Sequence, residues 1–157
     1  MPLMIQQNEI SKLLKTTLTN PKSNTNNQLN KFKGISISLL SKTGNQLITI
    51  STTPNTEEDL DISIDQLKIY SLISYNSIIS SNLSWNIIKF NKLKCIIQKI
   101  QLSDHKDQDQ DKDEEDDLIY YVTLFYIDSN DIDSDSIAKL KIDSLNNVLI
   151  DGFKGYR

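Results

Sequence analysis

The run Leu118-Ile-Tyr-Tyr-Val-Thr-Leu-Phe-Tyr-Ile127 constrains this chain more than any other segment, because almost every position in it is apolar or aromatic. An alternating strand needs cover on one face; a strand of this kind needs it on both. A sheet built around it has helices on both sides, so the expected fold class is an α/β three-layer sandwich. Other segments supply the parts. Ile10, Leu13, Leu14 and Leu18 recur at helical spacing within residues 4–20, and Asn20-Pro21 stops the pattern. Residues 34–40 and 46–51 are largely alternating runs on either side of Lys42-Thr-Gly-Asn45, which reads as a hairpin. Trp85 to Phe90 and Leu93 to Leu102 read as two more strands around Asn91-Lys92. In the second of these the apolar parity switches between Cys95/Ile97 and Ile96/Ile100, the mark of a bulge or of cover on both faces. Ile137, Leu140, Leu145, Val148 and Leu149 give a last helix that ends near Gly152. The expected order is helix, two strands, helix, three strands, helix, with the middle helix on one face and the first and last sharing the other.

The middle helix, Asp61 to Ser84, carries a surplus. At about 100° per residue its apolar positions form two stripes rather than one. Ile62, Ile69, Leu72, Ile73 and Leu83 lie on one side; Ile64, Leu67, Tyr75 and Ile78 lie nearly opposite. A helix covers its own sheet with a single face, so the second stripe needs either more of this chain or another chain. Spacing alone leaves both covers open, does not say which stripe faces outward, and leaves a strand reading of the segment open through its β-branched content.

Composition narrows the function classes. The chain has 157 residues, room for one domain with a single core. Its apolar content is concentrated in large side chains, 23 Ile and 19 Leu against 2 Val and 1 Ala, so that core is substantial despite the polar average. The single cysteine, Cys95, cannot form an internal disulfide, which fits a reducing compartment. Ile69 to Ile88 is uncharged and long enough to span a bilayer, but nine of its residues are Ser or Asn. With no leader pattern and no lipidation signal, membrane residence is expected only through partners. Nine acidic residues and two lysines between Asp104 and Asp117 leave the rest of the chain at net +3. With its one Arg at the terminus, such a body has no nucleic-acid footprint. A polar loop at 21–33 and an acidic loop at 103–117 are the expected connections.

Catalytic signals are poor. His105 lies inside the acidic run with no packed neighbour to orient it, and Cys95 sits in an apolar strand, so a Cys-His pair is a weak enzyme reading. Glycines at 34, 44, 152 and 155 provide no phosphate-cradling loop. A calcium loop starting at Asp107 meets Lys112 at the turn-glycine place and Leu118 at the closing glutamate; one starting at Asp131 fails at Ser136 and Ile142. No catalytic residue, metal or cofactor is expected.

Several local patterns carry a resemblance. Ile10-Ser-Lys-Leu-Leu14, Ser41-Lys-Thr-Gly-Asn-Gln-Leu47, Gln66-Leu-Lys-Ile-Tyr-Ser-Leu-Ile73 and Gly152-Phe-Lys-Gly-Tyr156, with the element order, resemble the roadblock/dynein light chain family. Within it the chain looks most like the fungal members of the vacuolar, Ragulator-like EGO complex. The resemblance covers nearly the whole chain apart from the acidic insertion, and it implies a roadblock-like, profilin-like sandwich around a mainly antiparallel five-stranded sheet. It also implies a non-catalytic adaptor. Such proteins pair through the middle helix and the adjacent edge strand, which here match Asp61 to Ser84 and Trp85 to Phe90. The implied partners are a second roadblock-fold subunit, as heterodimer or homodimer, a lipid-anchored wrapping subunit, and Rag-type GTPases. The implied setting is the cytoplasmic face of the vacuolar or lysosomal membrane, in amino-acid signalling to the TOR kinase complex. The interface residues expected on this basis are Ile64, Leu67, Tyr75 and Ile78 with Trp85, Ile87 and Phe90. A longin-like vesicle-trafficking module is the alternative adaptor reading.

Overall fold

The computed structural model describes residues 2–18, 33–51, 63–91, 93–101, 119–128 and 133–154. The polar loop up to residue 32, the acidic loop 103–117 with His105, and Ile62 lie outside the described residues. The elements in chain order are α1 (Pro2–Leu18), β1 (Gly34–Leu40), β2 (Gln46–Ser51), α2 (Ile64–Ser81), β3 (Trp85–Phe90), β4 (Leu93–Gln101), β5 (Ile119–Ile127) and α3 (Ser134–Lys154). Helix, two strands, helix, three strands, helix is the order expected from the sequence.

The five strands form one sheet in the order β2-β1-β5-β4-β3, and every neighbouring pair is antiparallel. The two-faced apolar strand β5 is central. β4 pairs with β3 and β5 without any register shift, so its parity switch reflects cover on both faces and not a bulge. Cys95 and Ile97 point to one layer, Ile96 and Ile100 to the other.

One layer is α1 and α3, which pack on each other; α1 lies over β1 and β2, and α3 over β4 and β5. Leu14 and Leu18 of α1 and Ala138, Ile142 and Leu145 of α3 meet Ile37, Leu39, Ile96, Val122 and Leu124 in one continuous apolar core. Polar contacts then fix the ends. Lys141 Nζ donates to the Thr17 carbonyl at 3.0 Å, so a cation on α3 caps the C-terminal turn of α1. At the start of α3, Asp135 accepts from Tyr126 Oη at 2.7 Å and from Lys94 Nζ at 3.0 Å. Asp128 lies 3.5 Å from the same ammonium. Burial alone would lower the Lys94 pKa; the carboxylates of Asp135 and Asp128 outweigh it and hold the value above that of an ordinary lysine.

Among the described residues the opposite face carries α2, which rests on β3 and β4 and reaches β5. Its limits are set locally. Ser63 and Gln66 form a capping box, each side chain accepting from the other's backbone N–H, at 3.1 and 3.2 Å. At the other end Asn82 takes the left-handed conformation, φ 58°, and Leu83 N–H reaches back to the Ile78 carbonyl at 3.0 Å, closing a Schellman turn. That turn delivers the chain directly into β3, so helix and edge strand are presented side by side.

Candidate functional site

α2 meets the sheet through Leu67, Tyr70, Ser71, Ser74, Tyr75 and Ile78. Tyr70 stacks on Phe90 of β3 with centroids 4.1 Å apart. Tyr75 meets Tyr121 of β5 edge-on at 5.1 Å. The Tyr75 hydroxyl donates to the Lys42 carbonyl at 2.7 Å, fastening the helix to the β1–β2 turn. Ser71 and Ser74 are buried between these larger groups, and their small side chains bring the helix backbone close to the strands.

This reverses the expected assignment of the two stripes. Ile78 is 1% exposed, and Leu67 and Tyr75 pack against the sheet; these three belong to the chain's own core and not to a docking face. The physical reason is that serines count as inward-facing residues here. Leu67, Ser71, Ser74 and Ile78 make one continuous inner line, invisible when only large apolar positions are followed. The outward stripe is instead Ile69, Leu72 and Ile73, extended by Ile79 and Leu83, each about half exposed. Of the expected helical set only Ile64 is outward, at 69% exposed.

The strand residues fall on both sides of the sheet. β3 is an edge strand, so one row of its main-chain groups has no strand beside it among the described residues. Trp85, 40% exposed, lies on the α3 side, where Lys139 Nζ sits 4.6 Å from its ring centroid and pairs with Asp143 at 2.7 Å. Ile87 shares that side and packs against the α1/α3 core; Phe90 lies on the α2 side against Tyr70. The outward stripe of α2, the turn at Leu83 and the edge of β3 thus form one surface, apolar on the helix and open on the strand. Lys139 and the Ile79 extension are parts of it that the sequence reading missed. Trp85 and a helix-borne cation carry no signal of proximity in sequence, whereas Ile79 could have been found by continuing the Ile69/Leu72/Ile73 stripe two turns, past Asn76.

The Cys95 thiol is fully enclosed beneath α2; burial pushes it up to about 12, and contacts with Ser74 and the Leu124 backbone oppose this only in part. It is therefore protonated, and weakly nucleophilic, at neutral pH. Among the described residues no group of three or more His, Cys, Asp or Glu is placed to hold a metal. Among them, too, no helix is long and apolar enough to cross a membrane.

No family model matches the sequence, and no curated protein matches it. Solved structures do. The chain is similar to a structure described as MglB with tetrameric arrangement, at TM-score 0.52 and 9% identity over 91% of this chain and 86% of that one. The fold is roadblock-like. MglC from Myxococcus xanthus is also similar, at TM-score 0.39 and 10% identity over 87% of this chain and 95% of that one. The roadblock-like sandwich implied by the resemblance is the fold that the coordinates show.

Proposed function

We propose that this chain is a non-catalytic scaffold subunit whose α2–β3 surface docks a second roadblock-fold subunit. The observation that carries the reading is the continuity of an exposed apolar helix stripe with an open strand edge. A monomer gains nothing from leaving five large apolar side chains of one helix in water, and a bare edge strand invites pairing. One partner covers both features at once, by adding a strand to β3 and a helix to α2. The similar MglB structure has a tetrameric arrangement, which supports assembly as a use of this fold.

The resemblance to the EGO-complex members supplies the finer reading. The chain sits at the cytoplasmic face of the vacuolar or lysosomal membrane, held there by a lipid-anchored subunit that wraps it. The assembled pair holds Rag-type GTPases and supports amino-acid signalling to the TOR kinase complex.

The test is co-purification of the tagged full-length chain with a second roadblock-fold subunit and a Rag-type GTPase pair. Ile69→Glu with Leu72→Glu is expected to abolish capture of the second subunit while leaving the circular dichroism unchanged. Leu67 and Ile78 are unsuitable for this purpose because a charge there would unfold the α2 layer. Retained capture by the folded double variant would remove the docking reading. Intact subunit pairing without GTPase retention would remove the finer one.

A further inference from the structure

We propose that the step between α3 and β3, on the face of the sheet opposite α2, receives an arginine side chain carried by a partner protein. This surface is separate from the docking face described above and does not depend on it. α3 packs on β4 and β5, so the edge strand β3 extends beyond the helix as a shelf. Trp85 rises from that shelf, and Lys139 of α3 lies over its ring with Nζ 4.6 Å from the centroid.

Among the described residues two buried oxygens on this side have no hydrogen-bond partner: Gln98 Oε1, in a residue only 7% exposed, and Asn146 Oδ1. The ladder places the first. Lys99 N–H donates to the Ser84 carbonyl at 2.8 Å, and hydrogen-bonded positions alternate along an antiparallel pair. Trp85 and Gln98, which are register partners, are therefore a non-hydrogen-bonded pair, with side chains close together on the α3 side. Helical spacing places the second. Lys139, Asp143 and Asn146 recur at i, i+4 and i+7 and share the flank of α3 that meets Trp85, whereas Lys141 on the other flank reaches α1. Buried acceptors are costly to leave unpaired, and these two lie along one seam.

The chain's own cation shows which donor is missing. Lys139 Nζ donates to Asp143 at 2.7 Å, yet both amide oxygens stay unpaired. A guanidinium does what this compact ammonium does not. Its plane stacks on the indole, and its five N–H groups, spread in a fixed fork, reach the Asp143 carboxylate and the amide oxygens together. The incoming group takes the place of the Lys139 ammonium, which returns to water. Trp85, Lys139 and Asp143 are all partly exposed, whereas a free small molecule is held where most of its surface is buried. The arginine is therefore delivered by a larger partner whose other contacts lie outside the step.

Trp85 is the chain's single tryptophan, so one indole N–H resonance reports on the site in the isotope-labelled full-length chain. Titration with acetyl-Gly-Arg-Gly-amide is expected to shift it, with the millimolar affinity of so small a probe. The lysine and citrulline tripeptides are expected to bind at least about fivefold more weakly, the first lacking the fork and the second the charge. Gln98→Leu is expected to weaken the arginine probe about tenfold, and Asn146→Ala repeats that test from the helix. Lys139→Gln is expected to tighten it severalfold by removing the competing cation. Ile69→Glu with Leu72→Glu is expected to leave the shift unchanged, which keeps failure here distinct from failure of the docking reading. Equal binding of the arginine and lysine probes reduces the step to a cation–π contact and overturns the proposal. Undiminished binding by folded Gln98→Leu and Asn146→Ala chains overturns it by assigning both oxygens to water. An unmoved resonance, or weaker binding by Lys139→Gln, overturns it as well.

Discussion

The two faces of the sheet are built on different terms. The α1/α3 face is closed by two helices over an apolar core in which Leu14, Ile37, Leu124 and Ile142 are essentially inaccessible. The α2 face has one helix, a serine-lined contact and three hydroxyl-bearing strand residues, Ser36, Ser38 and Thr123, under or beside it. Ser38 finds Thr49 at 2.9 Å and Ser36 finds Ser51 at 3.3 Å. Ser71 Oγ and Thr123 Oγ1 have no hydrogen-bond partner among the described residues. The larger apolar core therefore lies on the α1/α3 face, and on the other face α2 turns part of its apolar surface outward.

The comparison breaks if truncation on the two faces costs the same. Leu14→Ala is expected to destabilise the isolated chain by about 3 kcal/mol, since a fully enclosed leucine loses both transfer energy and packing. Ile73→Ala, on the outward stripe, is expected to change stability by less than about 0.5 kcal/mol in a dilute, monomeric sample. Urea unfolding of both variants measures the contrast. A large loss at Ile73 would mean that this chain already covers its own stripe.

Gly44 sharpens the same contrast at the one point where α2 is fastened to the β1–β2 hairpin. Its φ is +93°, and a Cβ placed there would lie 2.9 Å from the Tyr75 ring. Gly44→Ala is therefore expected to cost about 2 kcal/mol, from backbone strain and the displaced ring. Tyr75→Phe, which removes only the 2.7 Å bond to the Lys42 carbonyl, is expected to cost about 1 kcal/mol. If the two variants lost equal amounts, the hydroxyl rather than the ring contact would hold the turn.

The element order and the central place of β5 were legible in the sequence because both follow from periodicity and from a strand apolar on two sides. The boundaries of β1, β2 and β3 coincide with the expected ones because Gly44, Asn82 and Asn91 mark turns by backbone conformation. The orientation of α2 was not legible. Two apolar stripes of similar weight compete for the sheet, and the choice is made by Ser71 and Ser74, whose value is their small size rather than their hydrophobicity. The surface formed by α2 and β3 was legible as an expectation of two elements, whereas its individual residues depended on that orientation.

Cys95 tests how firmly α2 covers the sheet. An unfolded chain ionises the thiol near 9.0; burial in the native chain raises this to about 12. Between those values the unfolded state has given up a proton that the folded state keeps, so stability falls as pH rises. The loss attributable to Cys95 is expected to be about 1–2 kcal/mol by pH 10.5. It is read as the difference in slope between the native chain and Cys95→Ala, with the contributions of other groups common to both. A parallel pair of slopes would mean that α2 lifts readily from β4 and leaves the thiol in water.

The smallest effect tests the polar side of the comparison. Ser71→Ala removes a hydroxyl that is buried without a partner and installs the strongest helix former, so it is expected to stabilise the domain by about 0.5–1 kcal/mol. The inner line of α2 keeps its close approach to the strands, because alanine is no larger than serine. Thermal unfolding of the full chain measures the shift. A destabilised Ser71→Ala chain would show that the hydroxyl holds a bond in solution, and the α2 face would then be a satisfied polar layer rather than one that trades internal stability for a surface open to a second subunit.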